Sequence, residues 1–127
     1  MPIPIEAITT AALSAALETA SRRQSAVAAN IANASTPGYV SQQVSFYAHL
    51  AEARNALRDK GVLDMAAAES LRAQASPVLD AGGQPAPVQL DAQMSELARN
   101  GVEYQALVQG LSRHLGLLAL AAGDGRR

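Results

Sequence analysis

The C-terminal third of the chain carries an unbroken heptad spacing of apolar residues, and this pattern restricts the fold more than any other feature. The steps along this stripe alternate between four and three residues through Leu90, Met94, Leu97, Gly101, Tyr104, Val108, Leu111, Leu115, Leu118 and Ala122. An average step of 3.5 residues keeps one side of a helix facing a partner helix, as in a coiled-coil seam. Leu107, Leu117 and Leu120 lie off the stripe, so this helix is predicted to be apolar on more than one side.

A second stripe with the same spacing lies near the N-terminus. The pattern is helical from Ala7 to about Asn33, with stripe residues Leu13, Leu17, Ala20, Gln24, Val27 and Ile31. At 1.5 Å per residue the two helices would be about 40 and 50 Å long, so we expect them to pair with each other. Gln24 is the polar member of its stripe. It is interpreted either as a tolerated residue facing a gap or as a residue that sets the register.

The predicted fold class is therefore all-α, with the two terminal helices paired as an antiparallel coiled coil. Residues 1–39 and 88–127 would form this coiled-coil domain, and residues 40–87 would form a middle segment with short helices and a Gly/Pro loop. Pro37-Gly38 predicts a turn after the first helix. Asp91 is expected to cap the start of the last helix.

The middle segment has weaker patterns. Val44, Phe46 and Tyr47 are compatible with the start of a short extended piece, and the composition of Tyr47–Lys60 is helical. A weaker helix is predicted over Met65–Ala75, with Pro77 ending it. Asp80–Pro87 is predicted to be a loop or a tight hairpin tip because it is rich in Gly and Pro.

Composition argues against an ordinary core. Of the 127 residues, 49% are hydrophobic but only 3% are aromatic, and much of the apolar count is alanine. Alanine favours helix but contributes little free energy on burial. Long helices whose apolar surface is completed by other chains fit this balance. On its own, such a chain is expected to be marginally ordered, with its ends folding on assembly.

Several function classes have no support in the sequence. The net charge is −1 without a basic stripe, so no nucleic-acid partner is predicted. The longest apolar run, Leu115–Ala122, is far shorter than the roughly 20 residues of a membrane span. The N-terminus does not resemble a general secretory signal. Cysteine is absent, and His49 and His114 have no second ligand-type residue at i+4, so we predict neither an enzyme nor a metal or cofactor site.

The turn after the first helix carries a recognisable motif. The run Asn30-Ile-Ala-Asn33-Ala-Ser-Thr36-Pro37-Gly38-Tyr39 resembles the motif of the bacterial flagellar basal-body rod protein family. The C-terminal run from Val88 to Leu107 is similar to the C-terminal helix of the same family. Short members of the proximal rod, which lack a large inserted domain, show the closest resemblance. Gln93 departs from the pattern, because the family commonly has glutamate there.

The resemblance implies a structural subunit of the proximal rod, which links the rotor ring and export gate to the distal rod and transmits torque. Implied partners are other copies of the chain, other rod proteins, the rotor-ring adaptor and the export gate. The implied location is the basal body in the periplasmic space, reached through the flagellar type III export apparatus. Asn30, Asn33, Thr36, Pro37, Gly38 and Tyr39 would set the angle between the first helix and the middle segment. The assembly seam would comprise Leu13, Leu17, Val27, Ile31, Met94, Leu97, Tyr104, Val108, Leu111, Leu115 and Leu118.

Two other interpretations remain open from the sequence. One is a different rod-family subunit, such as the second proximal rod component. The other is a small helical adaptor or chaperone that binds one partner through its seam, which would form a stable dimer or heterodimer in solution rather than a filament-like assembly.

Overall fold

A computed structural model describes residues 5–45, 55, 58–59 and 73–124 of the chain. Along the chain these form helix α1 (Ile5–Ala32), strand β1 (Gln42–Ser45), strand β2 (Gln74–Pro77) and helix α2 (Leu90–Asp124). The two helices pack against each other along much of their length, and β1 packs on α1. The predicted pairing of the two terminal helices is therefore confirmed.

Helix α1 is built from strong helix formers. Its 28 residues contain neither glycine nor proline and include many alanines, so little in the sequence interrupts the backbone ladder. The regular helix ends at Ala32, and the Asn33 N–H still donates to the Ala29 carbonyl at 3.0 Å. Pro37 and Gly38, just beyond, cannot continue the helix.

Helix α2 is 35 residues long, about 52 Å at the usual helical rise. Its first backbone bond runs from the Gln93 N–H to the Gln89 carbonyl at 3.0 Å, which makes Gln89 the capping residue. Asp91 lies within the first turn, so its predicted role as the cap is wrong. Its carboxylate still accepts from the Ala92 N–H at 2.9 Å and complements the positive end of the helix dipole.

The helices run in opposite directions. Asn30, near the end of α1, contacts Gln93 near the start of α2, whereas Arg23, further back on α1, contacts Glu103 further along α2. Residue numbers thus rise on one helix as they fall on the other. The contact begins where the chain enters α2 and continues toward the start of α1.

The structure is mostly helical but also contains a two-stranded sheet, so the predicted all-α class is wrong in this respect. Strands β1 and β2 are antiparallel, with Gln42 opposite Pro77 and Ser45 opposite Gln74. Just before the ladder, the Val78 N–H donates to the Ser41 carbonyl at 3.0 Å. Because bonded and non-bonded pairs alternate in antiparallel ladders, the Gln42–Pro77 pair is non-bonded, and the missing N–H of Pro77 removes no ladder bond.

Strand β2 also corrects the helix predicted over Met65–Ala75. Gln74 and Ala75 are extended and paired with β1, so that helix does not reach its predicted end. The earlier part of that prediction lies outside the described residues. The helix predicted over Tyr47–Lys60 also lies mostly outside them, although Asn55 and residues 58–59 are helical.

The predicted hairpin tip after β2 is confirmed. The Asp80 N–H donates to the Gln84 carbonyl at 2.7 Å, and Leu79 forms an antiparallel bridge with Pro85. The Asp80 carboxylate accepts from the N–H groups of Gly82 and Gln84 at 2.8 and 3.0 Å, as expected of an aspartate that stabilises a turn. Gly83 has φ of 77°, a conformation in which glycine carries no steric penalty.

The buried interior is small and unusually polar. Among the described residues, the buried apolar side chains are Ala20, Val27 and Val44, and the buried polar ones are Thr19, Asn30, Ser41 and Asn100. None of the buried apolar residues is large. Transfer of apolar surface from water therefore contributes modestly, and the fold depends to an unusual degree on hydrogen bonds that satisfy its buried amides.

Candidate functional site

The motif at the end of α1 forms a compact junction between the helix and the sheet. Asn33 uses its side chain twice: Nδ2 donates to the Ala29 carbonyl at 2.9 Å, and Oδ1 accepts from the Thr36 hydroxyl at 3.2 Å. The Thr36 N–H donates to the Asn33 carbonyl at 3.0 Å. These local bonds satisfy carbonyls that the end of a helix leaves without partners.

A tight turn then reverses the chain. The Tyr39 N–H donates to the Thr36 carbonyl at 3.2 Å, with Pro37 and Gly38 as the two central residues. Gly38 has φ of 76°, the positive value that the second central residue of a type II turn requires. Nothing lies within 4 Å of the position that a Cβ at Gly38 would occupy. The glycine is therefore required by its backbone conformation and not by crowding.

Asn30 lies at the centre of the junction and is 1% exposed. Its Nδ2 donates to the Gln42 carbonyl at 2.8 Å and to Gln93 Oε1 at 3.0 Å. Its Oδ1 accepts from the Tyr39 hydroxyl at 2.9 Å and from the Gln42 N–H at 3.0 Å. The whole hydrogen-bonding capacity of the amide is used, and one side chain joins α1, the turn, β1 and α2.

The bonds from Asn30 to Gln42 take the place of a neighbouring strand. Gln42 stands in a non-bonded pair, so its N–H and carbonyl point away from β2, toward the outer edge of the sheet. The Asn30 carboxamide supplies both a donor and an acceptor to that edge. An unpaired edge is a site for unwanted strand addition, and Asn30 covers this one at Gln42.

A second buried amide, Asn100, joins the helices further along the hairpin. It is also 1% exposed, and its Nδ2 donates to the Ala20 carbonyl at 2.8 Å and to Gln24 Oε1 at 2.7 Å. Arg23 approaches Asn100 Oδ1 and the Glu103 carboxylate, each at 3.5 Å. Gln24 thus contacts a polar partner on α2, which favours its interpretation as a register-setting residue over one facing a gap.

On α1, the predicted seam lies along the contact with α2. Val27 is buried, and Leu13, Leu17 and Ile31 are half-buried. On α2, by contrast, the predicted seam is split. Leu97, Leu111 and Leu118 are half-buried, whereas Met94, Tyr104, Val108 and Leu115 are 56%, 40%, 41% and 48% exposed.

The face of α2 that contacts α1 is rotated from the predicted stripe by about one residue. Gln93 and Asn100 make the contacts to α1, and Leu107 and His114 follow at the same heptad position and are half-buried. The predicted stripe instead placed Met94, Gly101, Val108 and Leu115 at this position. From the sequence, Gln93 stands out only as a departure from the family pattern, and the contacts of Gln93 and Asn100 with α1 are not predicted, because polar residues are not counted in an apolar stripe. Their spacing of seven residues, in phase with Leu107, was the available signal.

The rotation leaves several apolar residues exposed on the flank of α2. We call the exposed residues Leu90, Met94, Tyr104, Val108 and Leu115 the α2 flank stripe; they are between 40% and 56% exposed. The steps between them are four, ten, four and seven residues, which are all sums of three- and four-residue steps, so the five residues share one side of the helix. Exposed apolar surface of this extent on a helix indicates a contact with another protein.

Other kinds of site have little support among the described residues. Within residues 5–45 and 73–124 no group of three or more His, Asp or Glu side chains could hold a metal ion. None of the helices described here is long and apolar enough to cross a membrane. His114 lies on α2 and is half-buried, and His49 lies outside the described residues. A groove between α1, β1 and α2 is lined by side chains of both charges, including Arg23, Glu96 and Arg99.

Fold and surface together define a class: a helical hairpin with a polar interior that leaves its larger apolar side chains exposed for an assembly partner. A family model described as "Flagella basal body rod protein" matches residues 11–39. The flagellar basal body rod protein FlgB of Escherichia coli (strain K12) and that of Shigella flexneri are each 31% identical to the chain over 114 residues, which cover 76% of this chain and 80% of the relative. The chain belongs to the flagellar basal body rod protein family, and it is a structural subunit of the rod that assembles with other flagellar rod proteins.

Proposed function

We propose that the chain is a subunit of the proximal rod and that it assembles through the α2 flank stripe. The exposure of this stripe is the observation that carries the proposal. A self-sufficient hairpin would turn Met94, Val108 and Leu115 toward α1. Here Gln93 and Asn100 make the contacts to α1, and these three apolar residues are exposed. Burial of these side chains in an assembly would supply free energy that the small interior of the monomer lacks.

A complementary surface lies on the outer side of α1. Its exposed residues follow the same alternation of four and three steps through Ser14, Glu18, Ser21, Ser25, Ala28 and Ala32. Five of these six side chains are small, Glu18 being the exception, and small side chains let a second helix approach closely, so that a stripe of larger side chains gains contact over many turns. The large and small stripes lie on different helices. Contact between them is therefore heterologous and propagates along an assembly instead of closing into a two-fold dimer.

In this proposal residues 1–39 and 88–127 form the inner-core unit, supercoiled as a coiled coil, and residues 40–87 form the middle segment. The motif residues Asn30, Asn33, Thr36, Pro37, Gly38 and Tyr39 set the angle at which β1 leaves α1, since each takes part in the junction or its turn. A fixed angle holds the middle segment in one position relative to the helices. Contacts between neighbouring subunits depend on that position.

The same polar, small interior suits export before assembly. Only small apolar side chains are buried among the described residues, so the free energy of unfolding of the isolated chain is expected to be low. A chain that unfolds readily can pass through the flagellar type III apparatus and gain its order from its neighbours. In the assembled rod the chain would contact its own copies, the rotor-ring adaptor and the export gate, and would transmit torque without a catalytic role.

The proposal is tested by removing the α2 flank stripe without touching the contact with α1. We expect the double substitution Val108→Ser and Leu115→Ser to leave helix content and expression of the chain unchanged. In a strain lacking its own copy, this variant should fail to restore swimming and to enter purified basal bodies. Val102→Ser is the matched control, because Val102 is 69% exposed on another side of α2 and should assemble normally.

Crosslinking of assembled rods extends this test to the partners. A photoreactive residue at Val108 should crosslink to a rod subunit or to a second copy of the chain, whereas one at Val102 should not. Normal incorporation of the double variant would refute the role of the stripe. A stable, concentration-independent dimer by light scattering would instead favour an adaptor that binds one partner.

A further inference from the structure

Two pairs of amide side chains join α1 and α2, and the asparagine that donates lies on α1 in one pair and on α2 in the other. In one, Asn30 of α1 donates to Gln93 of α2 at 3.0 Å; in the other, Asn100 of α2 donates to Gln24 of α1 at 2.7 Å. Both asparagines are 1% exposed. On each helix the asparagine and glutamine are six or seven residues apart, so the two pairs occupy successive heptads of one antiparallel contact.

The apolar residues alone do not define which heptad of α2 faces which heptad of α1. The half-buried Leu97, Leu111 and Leu118, together with Leu90 and Tyr104, repeat every seven residues. Counting between the two amide pairs places Val27 of α1 level with Leu97, so a slip of one heptad would bring Val27 level with Leu90 or Tyr104. Because the seam repeats every seven residues, an alignment shifted by one heptad brings similar apolar side chains together and differs little in free energy from the unshifted one.

The amide pairs distinguish the observed alignment from the shifted ones. With α2 displaced by one heptad in one direction, Gln24 would face Leu107, and Asn30 would face Asn100 instead of Gln93. In the other direction Asn100 would face Leu17, and Asn30 would lie beyond the first residue of α2. Either slip leaves at least one of the four amides facing an apolar side chain, whereas the observed register gives each of them a hydrogen-bond partner.

We propose that the Asn30–Gln93 and Gln24–Asn100 pairs are the register-determining residues of the hairpin, and that they select one alignment of α1 and α2 at the expense of stability. A buried polar pair is often replaceable by apolar residues with no loss of stability, whereas removal of one partner alone is costly. The pairs fix how the α2 flank stripe lies relative to the outer side of α1. A slip of one heptad would displace one surface from the other by about 10 Å.

The experiment compares three variants of the full chain, each carrying spin labels at Ser14→Cys and Ser95→Cys. Both serines are exposed, the chain has no native cysteine, and the labels lie about 20 Å apart along the hairpin axis. The variants are Asn100→Leu, the double substitution Gln24→Leu and Asn100→Leu, and a control with Ser25→Leu and Gln105→Leu. The control adds one leucine to the exposed surface of each helix and leaves both amide pairs in place.

The labelled chain with both amide pairs intact and the control variant should each give one distance between labels. Asn100→Leu should lower the denaturation midpoint, because the half-buried Gln24 and the buried Ala20 carbonyl both lose the Asn100 donor. The double variant should recover the midpoint to at least that of the unmodified chain. It should also show a second distance, shifted by about 10 Å, in at least about a tenth of the molecules.

Two results would overturn the proposal. A double variant that keeps a single, unshifted distance would show that the apolar seam and the sheet already fix the register. A double variant less stable than Asn100→Leu, or without helical signal, would show that the pair acts as a stabilising contact. Because the readout is the alignment of helices within one molecule, its failure is separate from failure of the α2 flank stripe to assemble.

Discussion

Substitution of Asn30 by alanine tests whether a single amide holds the junction together. The change removes four hydrogen bonds, to the Tyr39 hydroxyl, both backbone groups of Gln42 and Gln93 Oε1. These partner residues are half-buried, so water can reach them in part, and each lost bond is worth about 0.5–1.5 kcal/mol. We expect a total loss of about 3 kcal/mol, a large share of the stability of an ordinary domain.

The matched control is Asn33→Ala in the same motif. Asn33 bonds only to neighbouring groups that are exposed to solvent, the Ala29 carbonyl and the Thr36 hydroxyl. Its replacement should cost about 1 kcal/mol or less, because water substitutes for both partners. The two variants share the residue type and the substitution, and they differ in burial and in the reach of the bonds they break.

The free energy of unfolding is measured by urea titration followed by circular dichroism, with a protecting osmolyte that brings a weakly stable chain into range. Asn30→Asp is a second variant: it keeps the acceptor for Tyr39 and for the Gln42 N–H but loses the donor. It should cost at least as much as Asn30→Ala at neutral pH, because it buries a carboxylate that faces the Gln42 carbonyl and Gln93 Oε1. If Asn30→Ala costs no more than Asn33→Ala, the bonds from Asn30 to β1 and α2 do not hold the junction and the reasoning fails.

Two further predictions concern the turn and the helix surface. Gly38→Val should impair rod assembly more than expression of the chain, because a β-branched residue at φ of 76° costs about 1–2 kcal/mol. Gly38→Ala should have an intermediate effect, since no neighbouring atom crowds the site. Equal loss of rod incorporation and of soluble protein would indicate a plain folding role. Glu18→Gln breaks the ion pair with Arg22, at 2.9 Å and with both side chains more than half exposed, and should change the free energy of unfolding by no more than about 0.5 kcal/mol. A larger change in urea titration would mean that this surface pair matters to the fold.

The sequence predicts the helices well because their signals are local and repeated. Heptad spacing gave both helices and their pairing, and Pro37-Gly38 gave the turn that follows α1. The face of α2 that meets α1 was not predictable from apolar spacing. The inward position is occupied by Gln93 and Asn100, which are stable there only because Asn30 and Gln24 are placed to receive them.

The sheet was missed for a related reason. The strands read Gln-Gln-Val-Ser and Gln-Ala-Ser-Pro, with no alternation of apolar and polar residues and little β-branched content. Their pairing joins residues about thirty positions apart and is supported by a side chain from α1, which a reading of local pattern does not detect. Of the three residues whose type suggested an extended piece, Val44 is buried on β1, and Phe46 and Tyr47 lie outside the described residues.

The ladder that ends with Ser45 opposite Gln74 has a consequence for how this architecture can vary in length. Because these two residues are neighbours in space, the segment that connects them begins and ends at the same place on the sheet. Closing a longer connection costs little, since the entropy penalty grows only with the logarithm of its length. An insertion at this point could therefore enlarge the molecule without altering the two-helix hairpin.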